Sequence, residues 1–380
     1  MNNFKLSRRN ILATSAAVTL TTMVGANSAL ALPFGRAAPA AAAPQEDIIF
    51  VDSSAAQLAG IRRVVIANYV VAFQIEAKDF REATRFNRAE TAASLAWNNP
   101  DVAMMQQITD AGYAKLKAEF IAKGIEVLDT SVLASQPMYQ TIQRQTGFGS
   151  PAYWGNGDGR AILVGATGLP PYRGYGPETG NFEAVNFNAR DTAGSAPNPP
   201  TMMKALTPYQ MPGWEIDLAK SLDAVVVKAW QVVNFGKVEA GANRWGFGGG
   251  GGTLERAEHT ANATTHVRIR EEQSRISFRL PTSTVRAGIR VRQIPATYMA
   301  PPKDGDVVVA LGNPIFLGSN LFSVSETGAT SSQRTREFLL GGAAHLNAGA
   351  HLEQPALYLT RVSGAVDELM GKLVGAALGR

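Results

Sequence analysis

Apolar residues are densest between Ile61 and Ile75, where the chain reads IRRVVIANYVVAFQI. β-branched and aromatic residues fill both alternating sets of positions, which predicts a strand buried on both faces at the centre of a sheet. Residues 76–98 are mixed and charged and read as a connection or a small excursion. Asn99-Pro100-Asp101 is a helix-start signal, with Asn99 as the cap, Pro100 at the first helical position and Asp101 at the positive dipole end. Met105, Ile108, Gly112, Leu116 and Phe120 follow at helical spacing. They predict one buried stripe on a helix ended by Gly124. Ile125–Leu128 reads as the next strand, and a second helix is expected between Ser131 and Gly147.

Residues 146–213 break this rhythm with GFGSPAYWGNGDG, GLPPYRGYGPETG and GSAPNPP. Only Ala161–Val164 inside that stretch reads as a strand; the rest is punctuation by Gly, Pro and Asn. Loops this long in compact domains are functional or disordered. A helix near Trp214–Leu222 leads into a strong strand from Ala224 to Phe235. Beyond the glycine run 248–252, His266–Arg270, Arg275–Arg279 and Arg286–Ile294 alternate with period two. That pattern predicts an antiparallel, half-solvated sheet with Glu271–Ser274 as the turn between the first two strands. Asp306–Leu317 offers a further strand. Pro355–Leu378 places Val362, Val366, Leu369, Leu373 and Ala377 on one helical face.

The order of elements predicts an α/β or α+β fold. Its parts are a mainly parallel or mixed sheet with flanking helices, the long Gly/Pro/aromatic insertion, and a late antiparallel Arg-rich portion. The divisions expected are 1–31, 32–47, a core over 48–243, and 244–380 continuous with that core. No internal repeat and no span of transmembrane length beyond the leader is evident.

Composition narrows the function classes. The 380 residues include no cysteine, which excludes disulfides, iron–sulfur clusters, thiolate zinc sites and c-type haem attachment. Residues 1–31 run from a basic stretch (Lys5, Arg8, Arg9) through a weakly apolar segment to Ala29-Leu30-Ala31, the order of a secretory signal. Ser7-Arg8-Arg9-Asn10-Ile11-Leu12 resembles the twin-arginine export motif, with Ile11 in place of the usual Phe and Ala13 in place of the usual Lys. Export to the periplasm or beyond by that route is therefore expected. Cleavage after Ala31 takes the formal charge from +5 to +2, since the leader holds three basic residues and no acids. A near-neutral mature chain gives no case for nucleic-acid binding. AAPAAAAP at 37–44 reads as a linker.

Catalytic signatures are weak. His259, His266, His345 and His351 match no metal-ligand spacing, and His266 alternates with Arg268 and Arg270, which repels a cation. There is no GxSxG elbow and no SxxK set, so Gly149-Ser150-Pro151 and Gly318-Ser319-Asn320 read as turns. The glycine run lacks the lysine of a phosphate loop and reads as a hinge or loop tip. Glu178, Glu183, Asp191 and Asp217 are available carboxylates that nothing singles out. No cofactor and no metal site is predicted.

Two features remain. Nine arginines fall between Arg244 and Arg292, against four acids. Arg268, Arg270, Arg275, Arg279, Arg290 and Arg292 are the candidate ligand-binding cations, since guanidinium suits bidentate contact with carboxylate, phosphate or sulfate. Tyr153, Trp154, Tyr172 and Tyr175 are candidate stacking residues in the Gly/Pro-rich segment. The element order over about residues 60–145 and 214–310 resembles the periplasmic α/β domains of outer-membrane assembly proteins, of the curli-secretion and TolB amino-terminal type. That resemblance carries no motif and assigns no residue. The expected function is an exported, soluble envelope protein acting by binding or assembly, with an anionic envelope polymer, an acidic protein or a second copy as partner. The alternative is a twin-arginine-exported enzyme, a hydrolase or a non-covalent cofactor enzyme, with a dispersed site.

Overall fold

Two 21-residue strands organise the molecule: β2 (Arg63–Ala83) and β7 (Val225–Trp245), paired in parallel from Val64–Val225 to Phe73–Val233. Both carry apolar side chains on both faces there, so both are buried from each side, as the unbroken apolar run requires. The computed structural model describes residues 47–51, 54–83, 89–156, 159–173, 207–245, 256–271, 274–283, 306–326 and 343–379. The expected leader 1–31 and linker, the glycine run 248–252, the expected strand 286–294, and Tyr175, Arg290 and Arg292 lie outside them, as do Glu178, Glu183 and Asp191.

The remaining elements are β1 (Ile48–Val51), β3 (Ala89–Trp97), α1 (Val102–Ala122), β4 (Glu126–Val127), α2 (Ser131–Ala134), α3 (Pro137–Thr146), β5 (Ala152–Asn156) and β6 (Gly159–Gly165). Then follow α4 (Thr207–Leu222), β8 (Arg256–Ile269), β9 (Arg275–Arg279), β10 (Asp306–Leu311), β11 (Ile315–Gly318), β12 (Phe322–Glu326), β13 (Ala343–Leu352) and α5 (Pro355–Leu378). The sheet runs β1-β10-β9-β7-β2-β3-β13-β12, with β4, β5, β6, β8 and β11 on branches. It is mixed. The β2–β7, β2–β4 and β3–β13 pairs are parallel, and the other pairings are antiparallel. The fold is α/β or α+β, and β8, β9 and β10 hydrogen-bond into the same sheet as β2 and β7.

Several local expectations need correction. Within residues 76–98 the chain is not a plain connection but an excursion made of strands: β2 continues to Ala83 and β3 pairs back along it. Helix α1 is capped by Asp101, whose Oδ1 accepts Ala103 N at 2.9 Å and Met104 N at 3.1 Å. Asn99 instead takes the left-handed turn position, with φ of 54°. The stripe of five residues expected on α1 is buried throughout, and Gly124 closes the turn with φ of 73°. In Ile125–Leu128 only Glu126-Val127 is strand.

The most consequential correction concerns residues 271–274. They do not reverse the chain. β8 descends along β7 from Trp245–Arg256 to Val233–Ile269, and β9 continues in the same direction from Trp230–Arg275 to Val226–Arg279. The interruption keeps the ladder satisfied: Arg270 N donates to Val232 O at 2.8 Å, and Val232 N donates to Ser274 Oγ at 3.0 Å. β9 therefore lies between β7 and β10 in the interior. All five of its residues are buried, so it is not the half-solvated strand its alternation suggests.

Helices cover both faces at this end of the sheet. α1 and α5 pack together on one face, where Phe120 meets Phe278 edge-on at 6.1 Å. They approach closely at Gly112, above Tyr69, whose hydroxyl is hydrogen-bonded with the side chain of Gln231. The opposite face carries α3 and α4. Further along, Trp97, Phe235, Phe322 and Tyr358 form an aromatic knot tying β3, β7 and β12 to α5. Among the described residues no helix is long and apolar enough to cross a membrane.

Candidate binding sites

The collinear arrangement of β8 and β9 divides the arginines. Arg275 and Arg279 are buried at 4% and 3% exposure, while Arg268 and Arg270 remain partly exposed beside the interruption. The candidate arginines of these two strands thus fall in two separate places. The physical reason is layer position: β9 is roofed by helices on both faces, with Phe120 of α1 on Phe278 and Glu215 of α4 on Arg279.

The interior site gathers around Glu215 of α4. Its Oε2 accepts from Lys228 Nζ at 3.1 Å, Arg279 Nε at 3.3 Å and Arg279 Nη2 at 3.2 Å. Its Oε1 accepts a long hydrogen bond from the Tyr172 hydroxyl at 3.4 Å. Lys228 lies on β7 and Arg279 on β9, at neighbouring positions of the α4-facing side. Tyr172 follows β6 and is pinned by its backbone, since Asn68 Nδ2 donates to Tyr172 O at 2.6 Å. Burial pushes the nearby Arg173 guanidinium down to about 10, and it stays cationic near neutrality. Buried charges require such pairing, because an isolated ion in the interior is strongly disfavoured. Neither Glu215 nor Lys228 was a candidate from the sequence. Lys228 did carry a signal: a lysine inside Ala224-Val225-Val226-Val227-Lys228-Ala229-Trp230 has no solvated face and must meet an acid.

The outer site lies where β8, β7 and β11 meet. Phe316 of β11 is 65% exposed, the largest exposure among the large hydrophobic side chains of the described residues. It sits in register with Arg268, and its ring is 6.2 Å from that of His266. Arg268 Nη1 is 4.0 Å from Glu271, and Lys237 on β7 pairs with Glu239. Burial, then Arg268, then Lys237 hold the His266 imidazole below its ordinary value. A depressed imidazole pKa makes protonation unfavourable to the fold. Stability is therefore complete above the ordinary value of 6.5 and declines as pH falls below it. His266→Gln removes this component, so the melting temperature of the variant should fall less than that of wild type between neutrality and mild acid.

The aromatic candidates also separate. Tyr153 is 45% exposed on β5. Trp154 faces the opposite way and packs against Val70, Leu163, Trp230 and their neighbours. Tyr172 is fully buried, edge-on to Tyr139 at 6.2 Å, so it is part of the interior and offers no stacking surface. Among the described residues no group of three His, Asp or Glu side chains is placed to hold a metal ion. Comparison with known protein families, with curated proteins and with solved structures finds no match to this chain.

Proposed function

We propose that this protein is exported by the twin-arginine route and acts in the cell envelope by binding an anionic partner, an acidic protein segment or an anionic polymer, through its outer β8–β11 site. The observation that carries the reading is the juxtaposition of exposed Phe316 with Arg268 in register and His266 against its ring. Surface ion pairs such as Lys237–Glu239 contribute little to stability, so a partner's carboxylates can replace the acids at small cost. Phe316 supplies apolar contact, and Arg268 and Arg270 supply charge-assisted hydrogen bonds. The leader motif of residues 7–12 supports the location.

The test uses poly-L-glutamate and an anionic glycan as probes. Arg268→Ala/Arg270→Ala should weaken binding about tenfold and flatten its salt dependence, as expected from losing two charged donors. Phe316→Ser should weaken it further without a change in melting temperature, because the ring is largely solvated. Unchanged affinity and salt slope in the double variant would remove this site from the function.

A further inference from the structure

The interior cation cluster is used neither by the outer site nor by apolar packing. Its donors come from three separate parts of the chain: Lys228 from β7, Arg279 from β9, and Tyr172 from the segment after β6. The carboxylate they share comes from a fourth, α4, and all four residues are at most 3% exposed, Glu215 and Tyr172 fully buried. A guanidinium contributing two nitrogens, an ammonium and a hydroxyl converging on one carboxylate is the set of contacts that recognises a carboxylate ligand.

Attachment of a helix to this sheet does not need charge. On the opposite face Phe278, between Ser277 and Arg279, meets Phe120 of α1 by apolar contact. Well-packed hydrophobic residues generally hold such a layer at least as firmly as a buried ion cluster. The charged arrangement under α4 is therefore explained better by what it can exchange than by the stability it adds.

We propose that Tyr172, Lys228 and Arg279 constitute a carboxylate-binding site that the chain fills with its own Glu215, so that an acidic segment of a partner competes with Glu215 and lifts α4 from the sheet. The identity of the competitor rests on the acidic-partner reading above; the site itself does not.

The exported protein carrying Glu215→Ala is melted in sodium acetate and in sodium chloride at equal ionic strength. Acetate should raise the melting temperature with the logarithm of its concentration, by about 2–3 °C at ten times its dissociation constant, from ligand linkage. It should not shift wild type, whose site is filled, nor Glu215→Ala/Lys228→Met/Arg279→Leu, which keeps neither cation of the site. Equal melting in acetate and chloride overturns the site. Should Glu215→Ala be recovered unfolded, refolding replaces melting: acetate, and not chloride, must restore the native circular-dichroism spectrum, or the site is refuted. The displacement is read in wild type by hydrogen exchange of residues 207–222 with poly-L-glutamate. Exchange there should quicken at least fivefold at saturation. Bound poly-L-glutamate with unchanged exchange disproves displacement. Absence of poly-L-glutamate binding, with acetate still stabilising Glu215→Ala, discards the acidic partner and the displacement and leaves the carboxylate site standing.

Discussion

Glu215→Leu should cost about 3–5 kcal/mol of unfolding free energy, the range for removing one partner from a buried charge cluster. The substitution keeps side-chain volume and takes away the carboxylate on which Lys228 and Arg279 converge at 3.1–3.3 Å. Both cations are nearly inaccessible to water, at 2% and 3% exposure. Their lost pairing is thus not replaced by hydration, and the penalty comes from the cations more than from the missing attraction. Replacing all three, as Glu215→Leu/Lys228→Met/Arg279→Leu, should recover most of the loss, because neither Lys228 nor Arg279 is then left as a buried cation that has lost Glu215. Urea denaturation of wild type, the single variant and the triple variant measures this directly. A loss below about 1 kcal/mol in the single variant would mean that the cations reach water or other acids, contrary to a closed cluster. The triple variant also serves the further proposal: it should be stable, and its α4 should no longer respond to poly-L-glutamate.

The second large effect is steric. A methyl group at Gly112 would stand 2.2 Å from Tyr69 Oη and 2.5 Å from Val366 Cγ1. Neither neighbour yields easily. Tyr69 is fully buried with its hydroxyl bonded to Gln231, and Val366 is fully buried on α5. Alanine is the better helix former by about 1 kcal/mol, yet overpacking at such distances costs about 3 kcal/mol or more, so Gly112→Ala is expected to be destabilising overall. Tyr69→Phe removes the nearest atom. Gly112→Ala/Tyr69→Phe should therefore lose less than the two single losses combined, a coupling that a double-mutant cycle resolves. Additive losses would show that α1 and α5 can separate at this crossing without repacking.

Much of the architecture was legible because it depends on short-range pattern. Two-sided apolar runs at Val64–Phe73 and Val225–Val233 can only be central strands, and they are. The period of the α1 and α5 stripes fixes which side of each helix is buried, and every expected stripe residue is. Helix α5 begins and ends where Pro355 and Leu378 were read. Strand β3 has a weak local signal because four of the nine residues of Ala89–Trp97 are alanine and Glu90, Thr91 and Ser94 are polar. Its pairing with β2 on one side and β13 on the other makes it a strand.

The sites followed the opposite rule. Arginines two apart at Arg268 and Arg270, and four apart at Arg275 and Arg279, describe cations on one side of each strand, but alternation says nothing of what covers them. Whether a charge is solvated or buried depends on the neighbouring layer, which is contributed by residues about 60 positions away: Glu215 meets Arg279 across a sequence separation of 64. By itself, then, the sequence determined the fold class, the core strands, the helical stripes and the absence of thiol chemistry, all consequences of composition and local periodicity. Only the tertiary structure decided that β8 and β9 are collinear, that Arg279 and Tyr172 are inside, and that Phe316 stands exposed beside Arg268. Those outcomes rest on long-range pairing and on which helix roofs which strand, and the free energy of burying a charge is set by partners the local sequence does not contain.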